Sequence, residues 1–255
     1  METAYLCLFA GLAGFVDAIV GGGGLIQLPA LFLWLPPAHA AVVPTVLGTN
    51  KLSSMCGTGM AVVQYARRIP LSWRALAPAA GSALVFSFLG ARAVSLISSQ
   101  VLRPLVLVLL VAVAVYTGVR KDFGDVPAPQ LRAPQARLFG VLVGAGIGFY
   151  DGFFGPGTGS FLIFAFIGLF GFDFLTATAS AKVINFATNL SAVAYFAATH
   201  NILYRYAVPM GLCNILGAVA GARLAILKGN RFVRAFFLAV VTVMIARYGW
   251  GVAAK

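Results

Sequence analysis

Gly14-Phe15-Val16-Asp17-Ala18-Ile19-Val20-Gly21-Gly22-Gly23-Gly24 places one acid inside an apolar run, immediately before a cluster of helix-breaking glycines. The same design returns as Gly148-Phe149-Tyr150-Asp151-Gly152-Phe153-Phe154-Gly155-Pro156-Gly157-Thr158. Glycine weakens a helix interior and proline removes an amide donor, so each stretch reads as a helix that stops, turns and restarts. A break duplicated in this way, inside apolar sequence, is the pattern of two halves that meet at a central site within a membrane.

Outward from the breaks the two copies stay in register. Lys51 pairs with Lys182, Arg74 with Arg205, Pro78 with Pro209, Gly90-Ala91-Arg92 with Gly221-Ala222-Arg223, Arg103 with Arg234 and Gly118 with Gly249, always 131 residues apart. At the glycine motif the offset is 134, which places a three-residue difference in the loop around Pro36-Pro37. Each copy divides into four apolar units, at about 4–35, 40–66, 72–97 and 101–119, then at about 136–170, 174–199, 205–227 and 231–250. The domain reading is a first repeat over 1–119, a polar, proline-rich linker over 120–137 with Lys121, Asp122, Asp125, Pro127, Pro129 and Pro134, and a second repeat over 138–255.

Composition names the solvent. Hydrophobic residues make up 61% of the chain and charged ones 9%, with a mean hydropathy of +0.96, far from the balance of a water-soluble domain. Stretches such as 102–119 and 232–246 approach the roughly 17 to 25 residues that cross a bilayer as a helix, and the short alternating segments of a membrane β-barrel are missing. Met1-Glu2-Thr3 lacks the basic region of a signal peptide, so the first apolar segment is expected to stay in the mature protein. The net charge of +12 sits mostly at the ends of apolar segments, where membrane topology and lipid headgroups account for it, and no nucleic-acid role is expected. Cys7, Cys56 and Cys213 are isolated and lack metal-ligand spacing; neither they nor His39 and His200 in loops are assigned a role, and no cofactor or metal is expected.

Basic residues favour the cytoplasmic side of a membrane. An inverted arrangement of the repeats collects Arg67, Arg68, Arg74, Arg120, Lys121, Arg132, Arg137, Arg223, Lys228, Arg231 and Arg234 on one side, against Arg92, Arg103, Arg205, Arg247 and Lys255. A parallel arrangement divides them slightly less unevenly, so the expectation is inverted repeats, a cytoplasmic linker and both termini outside. Inversion requires an odd number of crossings per half. The first unit of each copy is therefore read as a hairpin of two short helices whose tip lies inside the membrane. Backbone groups freed at such a tip cost several kcal/mol each in lipid, so the tip must be wrapped by protein or face a watery cavity. The expected fold class is an all-α polytopic membrane protein of two inverted-topology repeats with discontinuous helical hairpins at the central site.

The second anomaly is a lysine in the middle of each second unit, in Thr49-Asn50-Lys51-Leu52-Ser53-Ser54 and in Ser180-Ala181-Lys182-Val183-Ile184-Asn185. A charge at mid-membrane costs roughly 2.5 to 3.5 kcal/mol on insertion scales and must be offset by partners or by function. One reading is structural: Asp17 pairs with one lysine and Asp151 with the other. The other reading adds the helix starts after Gly23-Gly24 and after Gly157, whose backbone amides attract anions. Thr158 and Ser160 add hydroxyls at the second start, and Thr49, Asn50, Asn185 and Asn189 flank the lysines with neutral polar groups. Together these residues suit a small oxyanion. Asp17 and Asp151 are out of place as anion ligands and are read as proton carriers that couple anion movement to a proton gradient, or as holders of the lysines.

Over essentially its full length the chain resembles the TauE/SafE family of sulfite-exporter-type membrane proteins. The likeness is carried by Gly14 to Leu25 with Thr49-Asn50-Lys51-Leu52, and by Gly148 to Phe161 with Ala181-Lys182 and Asn189, without departure at these positions. The resemblance implies a multi-pass transporter of the bacterial inner (plasma) membrane that moves sulfite, sulfonates or related small anions, often outward, and is not an enzyme. Substrates vary within the family, so anion, direction, coupling ion, stoichiometry and oligomeric state stay open. The rival readings are an importer of the same anions, a passive anion channel, and an intramembrane aspartyl protease prompted by Tyr150-Asp151. Against the last, each acid lies in a different half with a lysine at hand, whereas a protease dyad needs two carboxylates sharing a proton.

Overall fold

The computed structural model describes residues 2–40, 42–94 and 131–253, and of residue 75 and residues 241–253 the backbone alone. The fourth unit of the first copy and most of the linker lie outside the described residues. Among those described there are nine helices and no strand. They are α1 (Glu2–Val20), α2 (Gly24–Trp34), α3 (Pro37–Ala40), α4 (Val43–Ala66), α5 (Trp73–Ala93), α6 (Ala133–Phe153), α7 (Thr158–Phe170), α8 (Phe174–Ala198) and α9 (Tyr204–Ala253).

Local chemistry accounts for the ends. Asp173 caps α8, its carboxylate accepting from the Thr176 amide and hydroxyl, both at 2.9 Å. The Gln135 side chain accepts from the Arg132 amide at 3.0 Å and Pro134 sits in the first turn of α6, so this helix begins at Ala133, inside the stretch read as linker. In α9 the helical path is interrupted at Gly229 (φ 71°), between the third and fourth apolar units of the second copy.

Three described segments are long and apolar enough to cross a membrane: Glu2–Val20, Leu76–Ala93 and Tyr204–Val240. α4 and α8, at 24 and 25 residues, are as long, but polar residues interrupt their apolar faces. α2 and α7, at 11 and 13 residues, span only about 16 to 20 Å at 1.5 Å per residue and cannot cross alone. The expected hairpin of two short helices therefore needs correction. Its first arm is a helix of 19 residues in α1 and 21 in α6, and only the second arm is short. The glycines within these first arms do not break them because they serve packing. Gly14 in α1 lies against the Asn214 backbone and side chain in α9, and Gly221 of α9 lies against the Phe15 carbonyl. The same arrangement recurs where Gly148 of α6 meets Ala83 of α5 and Gly90 meets the Phe149 carbonyl. Neither interface has room for a Cβ, so backbones touch directly.

Two apolar clusters hold the bundle. One joins Val20, Tyr65, Leu76, Phe170, Phe174 and Phe237, with Leu131 and Ala136 packed against it. The other joins Leu6, Leu31, Val46, Ala91, Phe196 and Tyr206. α1 and α4 start in the second cluster and end in the first, whereas α5 and α8 run the other way. The two broken segments lie between the clusters.

Candidate functional site

Asp17 sits one turn before the end of α1 and Asp151 just before the end of α6. After each acid the chain turns at an equivalent glycine, Gly21 (φ 77°) and Gly155 (φ 91°), in a conformation that glycine adopts without steric cost. Gly21 is pressed against Gly159 in the first turn of α7, so the two breaks touch.

A helix end inside a membrane must dispose of its last carbonyls. At α1 three hydroxyls do this: Tyr65 of α4 donates to the Ala18 carbonyl at 2.8 Å, Thr178 of α8 to Ile19 at 3.3 Å and Ser160 of α7 to Val20 at 2.9 Å. At the second break the Tyr150 hydroxyl donates to the Pro156 carbonyl and the Thr158 hydroxyl to the Gly155 carbonyl, both at 2.7 Å. Ser160 and Thr158, singled out as anion donors, thus spend their protons on backbone in this state.

The four ionisable residues form two pairs that cross between the sequence repeats. Lys51 of the first copy binds Asp151 of the second, Nζ to Oδ1 at 2.8 Å, and Lys182 of the second binds Asp17 of the first, Nζ to Oδ2 at 2.9 Å. Lys51, Asp151 and Lys182 are buried, while the Asp17 side chain keeps 19% of its surface. Asp17 also accepts from the Gly23 amide at 3.4 Å and the Thr58 hydroxyl at 3.5 Å. Asp151 Oδ2 is buried without a hydrogen-bond partner. The acids face lysines rather than each other, which removes the geometric basis of a carboxylate dyad.

The other candidate residues fall into different places. Asn185 and Asn189 lie one turn apart on α8 beyond Lys182, both buried, and Asn185 Oδ1 has no partner. Asn50 is buried beside Lys51, with its Oδ1 likewise unpartnered. Thr49 turns away from the ion pairs: its hydroxyl donates to the Thr45 carbonyl and accepts from the Leu203 amide, tying α4 to the start of α9. At the start of α2 the amides of Leu25, Ile26 and Gln27 bond to the carbonyls of Gly22 and Gly23, and the Gly23 amide reaches Asp17, so this helix start already holds an anion of the protein's own. Gly24 packs beside Pro156, and Gly157 (φ 83°) leads into α7.

Sequence reasoning passed over Thr58, Gln27 and Asn214. Gln27 Nε2 donates to the Asn50 carbonyl at 3.4 Å and Asn214 Nδ2 to Gln27 Oε1 at 2.9 Å, an entirely buried chain next to Lys51. The signal was present: a glutamine within Gly24-Leu25-Ile26-Gln27-Leu28 and an asparagine within Leu212-Cys213-Asn214-Ile215 are polar exceptions in apolar helices. Two surface grooves, about 380 Å³ beside Arg231 and Arg234 and about 330 Å³ between Cys7, Gly11, Cys213 and Gly217, do not reach the ion pairs.

A helical, apolar chain with paired charges at broken helices agrees with what its relatives are. Residues 6–248 match the family described as sulfite exporter TauE/SafE. A "probable membrane transporter protein ORF9" of Sinorhizobium sp. is 37% identical over 244 residues, covering 95% of this chain and 90% of that one. A "probable membrane transporter protein" of Haemophilus influenzae is 36% identical, covering 94% and 92%, and the "probable membrane transporter protein YfcA" of Escherichia coli K12 is 34% identical, covering 95% and 87%. No solved structure matches the chain. On its sequence, its match from residue 6 to residue 248 and its helical architecture, the chain belongs to the TauE/SafE sulfite exporter family of membrane transporters.

Proposed function

We propose that the protein is a secondary transporter of small sulfur oxyanions of the sulfite or sulfonate type, exporting them across the bacterial inner membrane with their movement coupled to a proton gradient. The observation that carries this reading is the pair of crossed, buried Lys–Asp bonds at touching helix breaks. A fixed scaffold needs no such arrangement, because well-packed apolar residues would serve stability equally well or better. A transporter needs charges that can change partner. An arriving anion takes the place of a carboxylate on Lys51 or Lys182, with Asn50, Asn185 and Asn189 as neutral neighbours, and Asp17 or Asp151 is neutralised by a proton as the halves rock.

Inverted topology is part of the proposal, with a repeat over 1–119, a cytoplasmic linker over 120–137 and a repeat over 138–255. It is supported by the opposite directions of α4 and α8 between the two clusters, and by the matched contacts Gly14 to Asn214 and Gly148 to Ala83. Arg67, Arg74, Arg132, Arg137, Arg231 and Arg234 border the first cluster and Arg92 and Arg205 the second, an imbalance that favours a cytoplasmic first end.

The test is thermal stabilisation of the purified protein by sulfite, sulfate, taurine, sulfoacetate, phosphate and acetate, with Lys182→Met as control. Stabilisation by sulfur oxyanions that the variant loses supports the reading. Absence of any shift in folded protein overturns it and leaves the lysines structural. Flux in proteoliposomes then separates the rivals: independence from a proton gradient indicates a channel, and net accumulation indicates an importer.

A further inference from the structure

The two ion pairs occupy equivalent positions in the repeats, yet their surroundings differ. Asp17 is held by three donors: the Lys182 ammonium, the Thr58 hydroxyl and the Gly23 amide. Asp151 has Lys51 on Oδ1 and nothing on Oδ2, although it is the more deeply buried acid. The turns differ in the same sense. The bare face of Gly21 is occupied by the backbone of Gly159, whereas that of Gly155 is bordered by the second pair itself, where a Cβ would lie 3.0 Å from Lys51 Nζ and 3.2 Å from both the Asp151 carbonyl and its Oδ1.

We infer that the pairs divide the labour: Asp151 takes the proton when the anion displaces it from Lys51, while Asp17 stays ionised and ties α1 to α4 and α8. The inference rests on the transport reading above and narrows its coupling step to one acid. Hydrogen bonds to a carboxylate stabilise its charge, and Asp17 keeps two of them even if Lys182 moves. Asp151 would keep none. A dry, unpartnered carboxylate is far costlier than a neutral carboxylic acid, so the loss of Lys51 to an anion draws a proton onto Asp151. One anion and one proton arrive together, the charge of the site is unchanged, and both leave when Lys51 returns to Oδ1. Exposure ranks the acids in the opposite order, but a partly hydrated charge that keeps two donors is tolerable and a buried one stripped of its single donor is not.

The charged groups around Asp151 fit this role. Lys51 faces it from α4, Lys182 on α8 is already bonded to Asp17, α7 carries no ionisable residue, and Arg74 and Arg92 sit at the two ends of α5. On α6 itself the Tyr150 hydroxyl is engaged with the Pro156 carbonyl.

The experiment uses the full chain in proteoliposomes, with sulfite as probe, following labelled sulfite counterflow and internal pH. In Asp151→Asn, counterflow is expected to continue at a reduced rate while sulfite-driven proton movement is lost. In Thr58→Val, which removes one donor from Asp17, thermal stability falls and the proton-to-sulfite ratio stays that of the wild type. A wild-type ratio in Asp151→Asn, or a changed ratio in Thr58→Val, overturns the assignment while leaving the transport reading intact. A wild type that moves sulfite without protons overturns the coupling reading and this assignment together. Should Asp151→Asn fail to fold, Asp151→Glu and Asp17→Glu decide. A displaced pH dependence of proton uptake in the first alone supports the assignment, and displacement in the second alone overturns it.

Discussion

Lys182 and Asp17 stand 165 positions apart in the chain and meet at 2.9 Å, each one of the two charged exceptions in its own repeat and each neutralised by the other repeat. Lys51 and Asp151 repeat the relationship at 2.8 Å in the opposite sense. The halves are therefore bound to each other at the residues on which the proposed function depends, and a change in either pair acts on both halves at once.

Lys51→Met is expected to destabilise the protein by about 3 to 5 kcal/mol, the cost of leaving a buried charge without its partner. The double variant Lys51→Met with Asp151→Leu removes both charges and should recover most of that loss without recovering transport. Thermal unfolding in detergent, paired with sulfite counterflow, checks both statements.

Gly21→Ala should be worse than Gly155→Ala for folding. A left-handed conformation costs an alanine about 1 to 2 kcal/mol at either position, but only at Gly21 would the new Cβ overlap backbone outright, that of Gly159. At Gly155 it meets the end of the Lys51 side chain at 3.0 Å and the Asp151 carbonyl and Oδ1 at 3.2 Å, a tight fit that small shifts relieve, so that variant should fold and lose anion-induced stabilisation instead. Yield of monodisperse protein and thermal shift with sulfite separate the two outcomes.

Gln27→Met keeps size but removes both amide contacts, leaving Asn214 Nδ2 buried without an acceptor. A loss of about 1 to 3 kcal/mol follows from an unsatisfied buried donor. Combining it with Asn214→Ala should cost less than the sum of the single changes, because the second removes the orphaned group. A double-mutant cycle on unfolding temperature measures this coupling.

With Cys7, Cys56 and Cys213 replaced by alanine, a single cysteine at Arg68 should react with a membrane-impermeant maleimide only from the cytoplasmic side. One at Thr199 should react only from outside. Labelling of both from the same side would contradict the inverted arrangement.

Much of the site was legible in the sequence because membrane proteins tolerate so few exceptions. An acid before a glycine cluster and a lysine inside an apolar helix stand out against lipid-compatible sequence, and their duplication in register marked Asp17, Asp151, Lys51 and Lys182 together. The full length of α1 and α6 was not legible: glycine weakens an isolated helix, and only the contacts of Gly14 with Asn214 and of Gly148 with Ala83 show that these glycines are there for close packing. The direction of Thr49 was equally hidden. It neighbours Asn50 in sequence, yet successive helix positions are rotated by about 100°, which carries it toward Leu203.

Sequence by itself determined the solvent, the duplication, the helix breaks and the identity of the charged residues, because hydropathy, glycine and buried charge are local properties that act before any tertiary contact forms. Tertiary structure decided which acid meets which lysine, that the carbonyls of Ala18, Ile19 and Val20 are capped by Tyr65, Thr178 and Ser160 from three other helices, and that Asp151 Oδ2 alone among the carboxylate oxygens of the two pairs is left without a donor. These outcomes depend on packing between segments more than a hundred residues apart in most cases, where one helix's face selects another's, and no local pattern encodes that choice.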